Sequence, residues 1–220
     1  GSFIVYSSKN REGVKQPNAQ GVLSVLQTIV SSKFEYSFDF LPGLTEAQLK
    51  NTNMKISAKS GILQSTSGVV VGIEKKTLTQ VWNIENYWEN QTTSSLPISK
   101  IKLDVNDLIE TNFSENGQIS IGDIYDFIET KFGFAPCNLS AFLTGFLLKE
   151  FSKEPYRYSD SLGGHEVMTP DKLAEMVGNY IGKNPKPTYL VKMTPEEKEF
   201  FDLTETAWNL TTESLTSTSQ

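Results

Sequence analysis

Three residue types are almost missing from this 220-residue chain: one cysteine, one histidine and two arginines. Cys137 has no intrachain partner, so no intrachain disulfide is possible, secretion has no positive support and a reducing cytoplasm is expected. His165 alone rules out a multi-histidine metal centre and a zinc site shared between Cys and His. Arg11 and Arg157 are the only arginines, and the net charge is −6. Residues 1–116 hold 11 Lys/Arg against 11 Asp/Glu, whereas residues 117–210 hold 9 against 14. Nucleic-acid affinity rests on clustered cations that neutralise phosphates, so the net charge disfavours that partner.

Other absences narrow the field further. No apolar run nears the roughly 18 residues that span a bilayer, and no basic-then-apolar signal opens the chain, so no membrane partner is expected. The phosphate loop G-x-x-x-x-G-K-[ST], the dinucleotide motif G-x-G-x-x-G and the nucleophile elbow G-x-S-x-G are missing. No cofactor is expected. Gly1-Ser2 reads as a cloning scar, and Phe3-Ile4-Val5-Tyr6 begins in core-like sequence. The expectation is a domain excised from a larger cytoplasmic, bacterial, multidomain protein.

What is present describes a packed protein: 38% hydrophobic and 11% aromatic residues, 13 of them Phe. The first third alternates strand and helix signals. Phe3 to Ser7 reads as a strand and residues 9–17 as a loop. Asn18 caps a helix carrying Val22, Val25, Leu26, Ile29 and Val30 on one face. Residues 34–40 alternate Phe34, Tyr36, Phe38 and Phe40 with polar positions, the period of a half-buried strand. Thr45 and Gln48 form a capping box. Residues 62–64 and 68–73 read as strands, and residues 76–89 as a helix. Residues 90–95, NQTTSS, are the best linker.

The remainder reads as mainly helical. Asp104 is expected to cap a helix through Val105, Leu108 and Ile109. Ser120 caps the next, over 121–131, with Gly133 as its stop. Residues 139–152 are apolar almost all round and are expected to form the central buried helix of this half. An extended piece follows at 156–159, then a helix at 170–182 opened by Thr169-Pro170, then a strand at 188–193. Thr194 and Glu197 frame a capping box for a last helix through Trp208. The order of elements from 121 onward resembles a winged-helix arrangement, without diagnostic residues. The fold class is therefore α+β, an N-terminal mixed half (1–95) packed with a mainly helical, loosely winged-helix-like half (96–210), followed by a tail (211–220).

Four groups of residues carry candidate chemistry. Asn112, Ser114, Asn116 and Asp123, with Gly117 and Ile119 between them, resemble the twelve-residue EF-hand loop, which would imply calcium. The position where a bidentate Glu belongs holds the shorter Asp123, and only one formal charge stands in the ligand set. The same stretch reads equally as a turn at Asn116-Gly117 followed by a helix capped by Ser120, and that reading is preferred. Asp160, His165 and Glu166 flank a Gly163-Gly164 loop and would serve a hydrolase or nuclease as base and orienting carboxylate. Against this stands an ordinary polar surface loop. Cys137 at a helix start is read as a buried structural residue rather than a reactive thiol.

Tyr156, Arg157 and Tyr158 are types enriched at interfaces, on a short strand expected at the surface. Lys172, Lys183 and Lys186 would be the phosphate contacts of a winged-helix nucleic-acid module, although Asp171 and Glu175 nearly balance them. The leading expectation is a non-catalytic accessory or protein-interaction domain whose partners are other domains or subunits of its parent.

Overall fold

Residues 2–6, 12–34, 49–67, 97–160 and 165–208 are described by the computed structural model. The chain opens with a small antiparallel pair. Phe3–Val5 (β1) lies against Val14–Gln16 (β2), with Phe3 opposite Gln16. β2 falls where the sequence reads as a loop, because three largely exposed residues carry too short a pattern to register. Ala19–Lys33 (α1) follows, and the Asn18 side chain accepts from the Gly21 amide at 2.9 Å, as its cap role requires. The expected strand beyond Phe34, the Thr45–Gln48 capping box, the strand at 68–73, the helix at 76–89, the linker at 90–95 and the tail at 211–220 lie outside the described residues.

The largest departure from the sequence reading is Met54–Ser67 (α2), which is helical through the residues expected as a strand at 62–64. The helix hides because its buried stripe is small: Met54, Ala58, Gly61 and Ile62 at helical spacing. Small residues serve close packing. A Cβ at Gly61 would overlap the Phe142 carbonyl and lie 2.8 Å from the Phe146 amide nitrogen. Reciprocally, a Cβ at Gly145 would overlap the Ala58 carbonyl. The two backbones touch only because both contact positions are glycine.

Pro97–Asn116 (α3) is one unbroken helix, so Asp104 is no cap. It sits mid-helix and pairs with Lys131 at 2.8 Å. Gly117 then takes a positive φ of 71°, and Gln118–Ser120 (β3) leads into Ile121–Phe132 (α4). The Ser120 side chain accepts from the Asp123 amide, and Gly133 closes α4 in the left-handed region. Asn138–Leu148 (α5) is buried from Leu139 to Leu148 and extends through a 3₁₀ turn at Lys149–Phe151. Cys137, 4% exposed and free, caps α5 with its sulfur accepting from the Ser140 amide.

Tyr156–Asp160 (β4), His165–Val167 (β5), Pro170–Ile181 (α6), Thr188–Lys192 (β6) and Pro195–Trp208 (α7) complete the order. The strands form an antiparallel sheet ordered β3-β6-β4-β5. One row crosses three of them, Ile119 opposite Leu190 opposite Tyr158, and it joins the same core as α2, α4, α5 and α6. Each large aliphatic or Phe side chain fully buried there contributes roughly 1.5–3 kcal/mol. The fold is thus α+β. Helices occupy the places expected at 121–131, 139–152 and 170–182, while β6 separates β3 from β4. Among the described residues no helix is long and apolar enough to cross a membrane.

Candidate functional site

The calcium-like stretch is a capped joint. Asn112, Ser114 and Asn116 lie in the last turns of α3, not in a loop. Asn112 Nδ2 donates to the Leu108 carbonyl, Ser114 Oγ to the Glu110 carbonyl, and Asn116 Nδ2 to Asn112 Oδ1. Helical residues two apart differ by about 200° around the axis, so Asn112 and Ser114 do not converge on one point. Asp123 accepts from the Ser120 hydroxyl in the first turn of α4.

Tyr156, Arg157 and Tyr158 are on β4, an interior strand of the sheet, rather than on a surface strand. Arg157 is 2% exposed and Tyr158 8%. Arg157 Nε donates to Met193 Sδ at 2.7 Å, and burial lowers the guanidinium pKa. Tyr156 packs against Phe151 and Phe113. Tyr156 is half-buried, whereas Arg157 and Tyr158 are buried, on opposite faces of the strand.

The Asp160, His165 and Glu166 group spans the β4–β5 hairpin. Asp160 ends β4 and accepts from the Tyr158 hydroxyl at 3.2 Å. His165 begins β5 opposite Ser159, and the exposed Glu166 stands opposite Tyr158. Among the described residues no three His, Cys, Asp or Glu side chains are gathered so as to hold a metal ion. Lys172 lies over the Tyr158 ring at 3.8 Å. Lys183 follows the other end of α6, about 16 Å from Lys172 by helical rise. Lys186 Nζ is 3.9 Å from Glu175.

Two clefts meet beside Lys183 and Lys186, two of the lysines named for the nucleic-acid reading. The first, of about 240 Å³, is lined by residues that include Ser120, Gly122, Tyr180, Pro187 and Tyr189. The second, of about 380 Å³, is bounded chiefly by Tyr125, Asp126, Glu129, Pro136, Tyr180 and Lys183. Tyr180 and Pro185 belong to both. Local sequence places these groups simply. Asp126 and Glu129 are three apart on α4, hence neighbours on one helical face. Tyr180 stands in the last turn of α6, and the Pro185-Lys186-Pro187 run follows it.

Hydrogen bonds hold the walls. Tyr180 Oη donates to Asp126 Oδ1 at 2.9 Å, and Tyr125 Oη donates to the Phe134 carbonyl at 2.6 Å. The two rings meet edge-on with centroids 6.1 Å apart. Burial raises the pKa of both phenols, so both stay protonated donors at neutral pH. Gly122 sits under the Tyr180 ring, and a Cβ there would come within 2.7 Å of it. Lys183, at the rim, is the one described non-glycine residue with positive φ, 59°. Prolines after α6 and a carboxylate pair on α4 were visible in the sequence; that they face each other depends on how α4 and α6 pack.

A buried charge cluster lies elsewhere. Lys102 pairs with Glu150 at 2.6 Å, and Lys149, 4% exposed, sits with Nζ 4.8 Å from the Phe146 ring centroid. Burial, reinforced by Lys102 and opposed by Glu150, pushes the Lys149 pKa down to about 8. No protein-family model, curated protein or solved structure matches the chain.

Proposed function

We propose that this chain is a non-catalytic protein-interaction domain of a larger cytoplasmic protein, and that it docks partner segments across the Tyr180 groove. The observation that carries this reading is the pair of adjoining clefts divided by one fixed aromatic ring. At 240 and 380 Å³ they are at the small end for pockets that enclose a metabolite. Two side-chain-sized recesses beside each other suit instead an extended peptide. Tyrosine and proline walls offer contact area with little rotamer entropy to lose, and tyrosine is prominent among interface anchors.

Charge supports a protein partner over nucleic acid: Asp126 and Glu129 flank the same groove as Lys183 and Lys186. Exposed apolar residues support a life among neighbours. Phe3, Ile4 and Tyr6 on the first hairpin, Leu23 and Leu26 on α1, and Leu203 on α7 are each at least 41% exposed. Other domains or subunits of the parent protein are the expected partners.

Selection from a random peptide library on the folded protein tests the reading. Binders that lose affinity at least about tenfold on Tyr180→Ala, but not on Tyr180→Phe, are expected from a ring-centred groove. A selection whose binders ignore Tyr180 overturns it.

A further inference from the structure

Three carboxylate-bearing aromatic sites on this fold are each completed by a lysine of the chain itself. Tyr158, whose hydroxyl donates to Asp160, carries Lys172 Nζ 3.8 Å from its ring centroid. Phe113 carries Lys192, which also pairs with Glu110 at 3.1 Å. Phe127 and Phe132 carry Lys131, which also pairs with Asp104. A ring face and a carboxylate together attract a cation by two electrostatic routes, and the fold uses the combination repeatedly.

A fourth site has the same ring-and-carboxylate composition. Tyr180 donates to Asp126, Tyr125 stands edge-on to it, and Glu129 is half-buried beside them. Among the described residues no Lys or Arg lies over either tyrosine ring, and none pairs with Asp126 or Glu129. Lys183 borders the same cleft but pairs with neither carboxylate.

Building on the docking function above, we propose that the cleft between Tyr125, Tyr180 and Glu129 receives an arginine side chain of the partner protein. A guanidinium is planar and weakly hydrated, so it stacks on a tyrosine face while its edge donates to a carboxylate. An ammonium would satisfy the charge without the planar match. The neighbouring recess, edged by Pro187 and Tyr189, takes the residues that flank the arginine in an extended segment. The cleft's own Lys183 opposes entry of a cation and tempers affinity.

The test is a ¹⁵N–¹H titration of the whole chain with a capped Pro-Ala-Arg-Ala-Pro peptide and its citrulline isostere, which has the same shape without charge. Shifts confined to the Tyr125, Asp126, Glu129 and Tyr180 amides are expected from the arginine peptide, with citrulline weaker by about tenfold. Glu129→Gln is expected to weaken the arginine peptide about fivefold and Lys183→Gln to strengthen it about twofold, opposite signs that a change in folding would not produce. Spectra that overlay away from the groove establish that both variants are folded. Equal binding of arginine and citrulline peptides at the groove overturns the arginine assignment and leaves docking standing. Absence of groove shifts with both peptides overturns the arginine assignment, and docking falls with it only if library binders also ignore Tyr180. A single-stranded oligonucleotide that shifts the Lys183 and Lys186 amides where the arginine peptide does not overturns both readings.

Discussion

Replacing Lys149 by Met is expected to stabilise this protein at neutral pH. The Met keeps most of the aliphatic stem in its buried place and removes the ammonium. Burial, then Lys102, holds the Lys149 pKa down to about 8 from an ordinary 10.5. With those two values, linkage puts the cost of folding around the charged amine at about 3 kcal/mol at pH 7. Losing the contact with the Phe146 ring offsets about 1 kcal/mol of the gain. A net gain of about 2 kcal/mol remains, a rise in Tm of roughly 4–8 °C for a chain of this size.

The pH dependence makes the reasoning specific. Below about pH 8 the amine is charged in both folded and unfolded chains, and the whole cost stands. Between there and pH 10.5 the unfolded chain holds a proton that the folded chain has released. Wild-type stability therefore rises with pH over that window, and the advantage of Lys149→Met shrinks by about 2 kcal/mol by about pH 9.5. Urea unfolding followed by tryptophan fluorescence at pH 7, 8, 9 and 9.5 reads both slopes. A variant that is no more stable than wild type at pH 7, or whose advantage does not shrink, refutes the account of Lys149 as a buried, electrostatically costly amine.

Gly61→Ala forces a Cβ into the Phe142 carbonyl, so α2 and α5 must separate; a loss of about 3 kcal/mol is expected in denaturant melts. Ile56→Ala on the exposed face of the same helix should change stability by less than about 0.5 kcal/mol. Lys183→Gly relieves a left-handed backbone at the end of α6 and should raise stability by about 1 kcal/mol, checked by thermal melting. Tyr125→Phe removes the hydroxyl that donates to the Phe134 carbonyl and should cost about 1–2 kcal/mol at pH 7. Burial raises the Tyr125, Tyr156 and Tyr180 pKa values and lifts Tyr158 to about 12. A phenol with a raised folded pKa gives stability that is whole below the unfolded value and lost above it, so alkaline unfolding should set in above about pH 10. Tyr125→Phe should flatten that loss.

Reading this chain from its residues succeeds where the signal is local. Ser120 with Gly133, Thr169 with Pro170, and Thr194 with Glu197 mark helix ends because a cap acts on amides within one turn of itself. The apolar run from Leu139 to Leu148 declares its burial because no face of it suits water. Reading fails for α2, where alanine and glycine replace large apolar residues along the buried stripe and leave no periodic contrast. It fails again for β3, a three-residue strand whose partner β6 lies some 70 residues later in the chain.

Sequence alone therefore determined the α+β class, most helix termini of the second half, the buried place of Cys137 and the Ser120 cap within the calcium-like stretch. Each follows from forces that act within a turn or two of chain. Tertiary structure decided what those residues can do. It placed Tyr156, Arg157 and Tyr158 on an interior strand with Arg157 and Tyr158 buried, divided Lys172 from Lys183 across the length of α6, and brought Asp126 and Glu129 of α4 to face Tyr180. Asp126 and Tyr180 stand 54 residues apart in the chain, and only the packing of α4 against α6 joins their side chains in a hydrogen bond. A groove belongs to no single segment, because its walls exist only once separate helices have buried their apolar faces against a common core.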